Sequence, residues 1–186
     1  QAAFVDIGMQ RSGFLPLDEL NFRVNPAKGG ASGRMENHLH RGQEILVQVV
    51  RDAFGTKPPS LSTYFSLPGR YLVLTPFADS AGISRKLDED DRDRLRKLLT
   101  GLTVPENMGV IVRTAGATAT KTELQRDLKY LLRLWETIEK AAEDVRAPKL
   151  IYQERSLVIR AVRDLFNPDI DEILVDDIKT HQEILD

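Results

Sequence analysis

A cation and a hydroxyl follow a run of β-branched residues in the middle of the chain. Val110–Val112 has the composition of a buried strand, and Arg113 and Thr114 come directly after it. An arginine offers a planar fork of donors to a phosphate, and a threonine hydroxyl adds another donor. Arg85 is a candidate second cation. The pattern predicts a phosphate pocket at a strand end; the alternative is a surface arginine.

Two aromatic residues near the N-terminus are candidates for stacking with nucleic-acid bases. Phe4 and Phe14 lie in neighbouring segments with strand character. Stacking of a base on an aromatic ring contributes about 1–3 kcal/mol and tolerates any base. Lys57 lies in a nearby loop and could contact phosphate. The alternative is that both aromatic rings belong to the core of a small barrel.

Several other patterns are weaker. Residues 115–122 faintly resemble a nucleotide-binding loop but lack the second glycine before Lys121 and Thr122. His38 and His40 have no further metal ligand nearby in the sequence. The acidic run 88–91 is better explained as a helix N-terminus than as a metal site. A metal nuclease could use the C-terminal aspartates, although solvated turns explain them better: Asp169, Asp171, Asp176 and Asp177.

Composition limits the possible classes of protein. The 186 residues suffice for one domain or two small ones, and 41% are hydrophobic. The net charge of −2 means that RNA binding would need locally clustered positive charge. The absence of cysteine excludes disulfides and thiolate zinc sites and is consistent with a cytoplasmic location. No apolar run approaches the about 20 residues of a membrane span.

The first compositional zone, residues 1–63, predicts a small antiparallel barrel. Short segments of alternating apolar residues are separated by glycine and proline, and the predicted strands include Ala3–Gly8, Gly13–Pro16, Gly42–Val49 and Leu61–Phe65. Residues 25–41 are predicted to form a long surface loop. Because the chain begins in strand-like sequence, we expect it to be a piece of a longer protein.

The second zone, residues 64–156, mixes strands and helices. Arg70–Thr75 and Met108–Arg113 are predicted strands. Asp88 is predicted to cap a helix with apolar positions at Leu95, Leu98, Leu99 and Leu102. A longer helix is predicted from Thr122 to Asp144, with one apolar stripe comprising Leu124, Leu128, Leu131, Leu132, Trp135, Ile138 and Ala142.

The third zone, residues 157–186, predicts a helix over Leu157–Leu165, a strand over Ile173–Asp176 and then the start of a polar helix. So short a stretch cannot bury a core alone. We therefore expect it to be part of a domain that further chain completes.

The order of these motifs resembles the ribonuclease E/G family over nearly the whole chain. The N-terminal segments Phe4–Gly8, Gly13–Pro16 and Gly42–Glu44 resemble an S1-type RNA-binding domain. The middle segments are similar to the family's sensor region: Gly69–Leu74, Gly82–Arg85 and Gly109–Gly116. The match continues through Trp135–Glu136, Lys140–Glu143 and Asp171–Asp176.

This resemblance implies a function and assigns residues to it. The family cleaves single-stranded RNA with a magnesium ion held by two aspartates, and binds the 5′-monophosphate of its substrate in a separate pocket. Matched by motif, Arg113 and Thr114 would grip the phosphate, Gly69 and Val73 would line the pocket, and Arg85 would support it. The RNA-contacting residues of the S1 domain would be Phe4, Phe14 and Lys57.

The resemblance also implies an α+β fold and its division. We expect an incomplete S1/OB-type barrel over 1–63, a 5′-sensor domain over 64–156, and a partial ribonuclease H-like segment over 157–186. The magnesium aspartates and the zinc link that joins subunits in many members have no counterpart in the motifs found here. We therefore expect this chain alone neither to cut RNA nor to assemble in the family's usual way. The resemblance implies that the parent protein is a homo-oligomeric endoribonuclease. The loop 25–41 departs from the family pattern.

Two other functions remain open on the residues alone. One is a non-enzymatic S1-containing RNA tether, which would bind RNA with a steep salt dependence and no preference for the 5′ end. The other is an autonomous nuclease that uses the C-terminal aspartates, which would cleave RNA with magnesium.

Overall fold

Two four-stranded sheets and four α-helices form the part of the chain that the structure describes. The computed structural model describes residues 1–24, 34–78, 81–154, 156–166 and 170–185. The mixture of sheets and helices confirms the α+β class predicted from the sequence. None of the helices in these ranges has the length and apolar character needed to span a bilayer.

The first sheet contains β1 (Ala2–Val5), β2 (Gly13–Pro16), β3 (Gln48–Arg51) and β4 (Ser60–Ser62), in the order β1-β2-β4-β3. β2 and β4 run parallel, and the other pairs are antiparallel. Its core consists of Leu15, Leu20, Met35 and Leu61. β2 begins with a glycine because a Cβ atom on Gly13 would lie 2.5 Å from the Leu61 side chain.

The second sheet contains β5 (Leu67–Pro68), β6 (Leu72–Pro76), β7 (Ala81–Ile83) and β8 (Met108–Val112), in the order β5-β6-β8-β7. β7 runs parallel to β8, and the remaining pairs are antiparallel. The larger core packs here and joins strand residues such as Leu72 and Val112 to helix residues such as Leu124 and Trp135.

The two predicted helices of the middle zone are confirmed. The first, α1 (Glu89–Leu99), is capped by Asp88, whose carboxylate accepts from the Asp91 amide at 2.9 Å. The second, α2 (Lys121–Glu143), begins at a capping box in which Thr120 and Glu123 satisfy each other's backbone amides. The predicted stripe is buried at Leu124, Leu128, Leu131, Trp135 and Ile138.

The C-terminal segment is predicted correctly in one part and wrongly in another. α3 spans Leu157–Leu165 as predicted and is capped by Ser156. The predicted strand at Ile173–Asp176 is wrong: these residues are irregular, and Leu174 is 84% exposed. No strand among the described residues pairs with this segment, so its alternating pattern has no sheet to join. α4 (Ile178–Leu185) follows.

The strands of the first zone differ in extent from their predictions. Only Gln48–Arg51 of the region around 42–51 is a strand; Ile45 and Val47 pack on the core, whereas Val49 is exposed. β4 does not alternate, because three successive residues from Leu61 are all buried. Residues 25–33 of the predicted surface loop lie outside the described residues. The rest of that loop contains a 3₁₀ turn at Met35–Asn37, with Met35 buried.

Candidate nucleic-acid interface

Backbone hydrogen bonds bring three chain segments together at the end of β8. The Arg113 amide donates to the Tyr71 carbonyl at 2.7 Å, on the side of β6. On the side of β7, the Ser84 amide donates to the Val112 carbonyl at 2.8 Å. Tyr71 precedes β6, whereas Ser84 and Arg113 follow β7 and β8. These residues therefore lie at one edge of the second sheet, formed by the ends of these three strands.

The Arg113 guanidinium lies partly buried at this edge, with its side chain 26% exposed. Its Nη1 donates to the carbonyl of Gly69 and, at 3.3 Å, to that of Arg70. Nη1 and Nη2 also donate to the two carboxylate oxygens of Asp164, at 2.8 and 3.1 Å. These bonds hold the plane of the guanidinium in one orientation.

Asp164 is an ionised carboxylate in this arrangement. The hydrogen bond from Arg113 and, less strongly, that from Arg163 lower the pKa of Asp164 from 3.8 to about 2, against a partial upward effect of burial. Arg163 Nε donates to Asp164 at 2.9 Å. Arg163 Nη1 donates to the Pro68 carbonyl at 3.0 Å and to Glu154 at 2.9 Å. Helix α3 is therefore tied to the segment that precedes β6.

The turn that leads into β6 is held by Asp127 of α2. Its carboxylate accepts from the amides of Arg70, Tyr71 and Leu72, at 3.1, 2.8 and 2.8 Å. The carbonyls of Gly69 and Arg70 in this same turn accept from the Arg113 guanidinium. Asp127 therefore holds in place the backbone to which Arg113 is bound.

Two hydroxyls and a further cation belong to residues that follow β7 and β8 at this edge. Thr114 Oγ1 is 3.2 Å from Ser84 Oγ, and the Thr114 side chain is exposed. Arg85 follows Ser84, is also exposed, and has no ion-pair partner within the described ranges. Hydroxyl groups and arginine side chains both donate hydrogen bonds to phosphate oxygens.

The structure joins two of the predicted pocket residues directly, because Gly69 and Arg113 share a hydrogen bond. Thr114 follows Arg113, and Arg85 follows Ser84, whose hydroxyl contacts that of Thr114. Val73 is half-buried in β6 between Pro68 and Ile111.

Sequence reasoning missed Ser84, Asp127 and Asp164. Asp127 lies 57 residues from Arg70, and Asp164 lies 51 residues from Arg113. Local spacing does not reveal partners so far apart. The sequence contains only a weak indication of these two carboxylates, namely that each lies next to apolar positions of a predicted helix.

An exposed aromatic pair lies on the first sheet. Phe4 and Phe14 are opposite each other on β1 and β2, with ring centroids 5.7 Å apart and planes at 62°. Phe4 is 71% exposed, so it is not a core residue. Phe14 is partly buried, and its amide donates to the Pro59 carbonyl at 2.8 Å.

The predicted lysine lies in a tight turn next to this sheet. The backbones of Phe54 and Lys57 exchange hydrogen bonds of 3.1 and 2.9 Å, and both side chains are exposed. Arg11, from the turn between β1 and β2, donates to the Gly55 carbonyl at 2.8 Å. The turn with Lys57 is thus anchored to the hairpin that carries the aromatic pair.

The weaker sequence signals gain no support as metal sites. No group of three or more histidines, aspartates or glutamates in the described ranges could hold a metal ion. His38 is buried and stacks on Phe22, with ring centroids 4.3 Å apart. Asp169 lies outside the described residues.

Comparison with known proteins identifies the family. The model of the ribonuclease E/G family matches residues 66–186, which include the whole edge around Arg113. The chain belongs to the ribonuclease E/G family. This assignment confirms the resemblance drawn from the sequence motifs.

Individual relatives of this family member extend the match to the N-terminal sheet. Ribonuclease E of Escherichia coli strain K12 is 47% identical over 182 residues, which is 96% of this chain and 17% of the relative. Ribonuclease E of Haemophilus influenzae is 45% identical over 98% of this chain and 20% of its own length. Ribonuclease G of Escherichia coli strain K12 is 33% identical over 100% of this chain and 39% of its own length. The chain thus spans well under half the length of these relatives.

Proposed function

We propose that this chain is the RNA-binding and 5′-monophosphate-sensing part of an endoribonuclease of the ribonuclease E/G type. The observation that carries the proposal is the cluster at the end of β8. The Arg113 guanidinium is held in place by Asp164, and the hydroxyl of the next residue, Thr114, lies 3.2 Å from that of Ser84. Arg85 follows Ser84 in the chain.

The chemistry of this cluster suits one terminal phosphate. Arg113 supplies a planar donor edge, Thr114 a hydroxyl and Arg85 a second positive charge. A 5′-hydroxyl end would leave these donors without an anion. A 5′-triphosphate would bring further bulk and negative charge towards a site that already contains Asp164.

The first sheet supplies a second contact with the same RNA. We propose that it is an S1/OB-type barrel over residues 1–63, in which Phe4 and Phe14 stack with bases and Lys57 contacts phosphate. Binding of the 5′ end over residues 64–156 would then raise the effective concentration of the strand at the barrel. Exposure of Phe4 supports this role, because a base can reach its ring.

RNA cleavage is proposed for the whole protein. The resemblance implies a magnesium ion held by two aspartates, but the described residues contain no metal-ligand cluster and do not fit that site. We therefore assign no chemical step to this chain and expect it to be inactive alone. Residues 157–186 are proposed as the start of a ribonuclease H-like segment, and the parent as a cytoplasmic homo-oligomer that acts in RNA processing and decay.

The proposal is tested by measuring the affinity of the chain for one short single-stranded RNA with three different 5′ ends. We expect the monophosphate to bind more tightly than the hydroxyl and the triphosphate. Equal affinities with a steep salt dependence would instead favour an RNA tether. Magnesium-dependent cleavage by the chain alone would contradict the expected inactivity.

A further inference from the structure

The donors of Arg113 divide into two edges of one plane. Nη1 and Nη2 form the end of the guanidinium, and both donate to Asp164. Nε and the second hydrogen of Nη2 form the side edge, because these two N–H bonds point the same way in a planar guanidinium. Neither Nε nor this second hydrogen has an acceptor within the described ranges.

We propose that Asp164 is a positioning residue that holds the end of the Arg113 guanidinium and so presents its side edge to the terminal phosphate. This inference rests on the proposed function and adds a specificity determinant to it. Asp164 does not touch the RNA. Its carboxylate fixes the orientation of the group that does.

Asp164 can hold Arg113 because it is itself fixed. Arg163 Nε donates to the same Asp164 oxygen that Arg113 Nη1 contacts, at 2.9 Å. Arg163 is in turn bound to the Pro68 carbonyl, an anchor that does not depend on the charge of Glu154. The backbone carbonyls of Gly69 and Arg70 complete the hold on Nη1. The guanidinium therefore needs little reorganisation when a phosphate arrives, and preorganised donors bind an anion more tightly than freely rotating ones.

A competing role for Asp164 makes the opposite prediction. If the carboxylate occupied the place of the phosphate, its removal would free Arg113 and strengthen binding of the monophosphate. If Asp164 positions Arg113, its removal lets the guanidinium rotate and weakens that binding. The relevant quantity is the ratio of affinities for the 5′-monophosphate and 5′-hydroxyl forms of one RNA, because a general gain in positive charge cancels from it.

The test uses the 186-residue chain with Asp164→Asn, Asp164→Glu and, as a control, Glu154→Gln. Glu154→Gln removes one negative charge from the same cluster, at a residue that contacts Arg163 and not Arg113. Its amide oxygen can still accept the hydrogen bond from Arg163, so only the charge is lost. We expect Asp164→Asn to lower the affinity ratio about tenfold. Loss of a residue that orients a metal-binding side chain has an effect of this size on metal affinity. Asp164→Glu should restore part of the ratio, and Glu154→Gln should leave it unchanged. Thermal unfolding of each variant verifies that it is folded.

A second readout needs no RNA. In ¹⁵N spectra, a guanidinium held at both Nη atoms shows restricted rotation and separate Nη signals. We expect these for Arg113 in the wild type and in Glu154→Gln, and their loss in Asp164→Asn.

The outcomes separate this inference from the proposed function. An unchanged or increased ratio in Asp164→Asn, beside a wild-type preference for the monophosphate, would overturn the inference alone. A drop of equal size in Glu154→Gln would also overturn it, because charge would then explain the effect. A wild type without any preference would overturn the proposed function, while the Arg113 signals would still decide whether Asp164 holds the guanidinium.

Discussion

Asp127 lies so close to Gly69 that a Cβ atom on Gly69 would be 2.6 Å from both of its carboxylate oxygens. The absence of a side chain at residue 69 lets the carboxylate reach the three amides that follow. The glycine at residue 69 is therefore explained by a contact beneath the turn. It allows α2 to fix the backbone whose carbonyls hold Arg113.

Gly69→Ala should destabilise the chain because the new methyl group must displace Asp127 from its backbone donors. We expect the free energy of unfolding to fall by about 1–3 kcal/mol, as overpacking of a tight site does. The measurement is chemical denaturation followed by fluorescence of Trp135, the single tryptophan, which is buried in the larger core.

Gly82→Ala is the matched control, since a Cβ atom there meets nothing nearer than Ile111 Cγ1 at 3.4 Å. Its effect should stay within about 0.5 kcal/mol. Equal destabilisation by the two substitutions would contradict the proposed importance of the Gly69–Asp127 contact.

Thr120→Ala should weaken the start of α2. The Thr120 hydroxyl accepts from the Glu123 amide, while the Glu123 carboxylate accepts from the Thr120 amide at 2.8 Å. Loss of such a cap costs about 1 kcal/mol of unfolding free energy. Thr122→Ala, two residues further on, removes an exposed threonine without a capping bond and should have little effect in the same denaturation experiment. A loss that is no greater for Thr120→Ala would show that the cap is dispensable.

Elements with a local cause could be predicted from the sequence. The apolar stripe of α2 places both ends of that helix within one residue, and Asp88 places the start of α1, because helix periodicity and capping depend on neighbours in the chain. The predicted end of α1 is too late, since the helix ends at Leu99 and Leu102 lies beyond it. The prediction of a strand at Ile173–Asp176 is wrong, because a strand needs a neighbouring strand to pair with, and an alternating sequence pattern does not supply one. The prediction that Val49 faces the core is wrong for a related reason, because the register of β3 with β4 decides which side of the sheet its side chain occupies.

The residues of the candidate site also divide into those that local sequence predicts and those that it does not. Arg113 and Thr114 could be proposed because they follow a strand in the chain, and Arg85 because it is a nearby cation; the family motif added Gly69 and Val73. Asp127 and Asp164 could not be proposed, because each acts across more than 50 residues of sequence. Long-range carboxylates of this kind become visible only once the helices are packed against the sheet.

The depressed pKa of Asp164 predicts a specific loss of stability in acid. Its pKa is about 2 in the folded chain, against 3.8 for the free group, so its contribution is present above pH 3.8 and is lost as the pH falls towards 2. With the side chain 33% exposed, solvent screening reduces the expected contribution to roughly 1–2 kcal/mol.

The check is the unfolding free energy of the wild type and of Asp164→Asn between pH 5 and pH 2, measured in parallel. Other carboxylates with lowered pKa values, such as Glu123, affect both proteins alike. The difference between the two proteins should shrink as the pH falls. A difference that stays constant over this range would contradict the ionised pair with Arg113.

Phe4→Ala should weaken RNA binding with little effect on folding. The ring is 71% exposed, so its removal leaves the core of the first sheet intact. Loss of one stacked base costs about 1–3 kcal/mol, or roughly 5- to 150-fold in affinity. The measurement is affinity for a short single-stranded RNA with a 5′-hydroxyl end, which lacks the phosphate that Arg113 and its neighbours are proposed to bind.

Tyr130→Ala serves as its control, because Tyr130 is an exposed aromatic residue on α2 with 54% of its surface accessible. We expect its RNA affinity to match the wild type. Similar losses in both variants would point to nonspecific contact of RNA with exposed rings.

The most direct test of the sensor is the affinity ratio between 5′-monophosphate and 5′-hydroxyl forms of one RNA, measured for the wild type, Arg113→Gln and Arg133→Gln. Arg133 is an exposed arginine on α2 and controls for the loss of one positive charge. We predict a wild-type ratio well above one that Arg133→Gln retains and that Arg113→Gln reduces by about tenfold or more, as expected for a charge-assisted contact to phosphate. A ratio near one in the wild type, or a ratio that Arg113→Gln leaves unchanged, would contradict the proposal that this edge of the second sheet recognises the 5′ end of RNA.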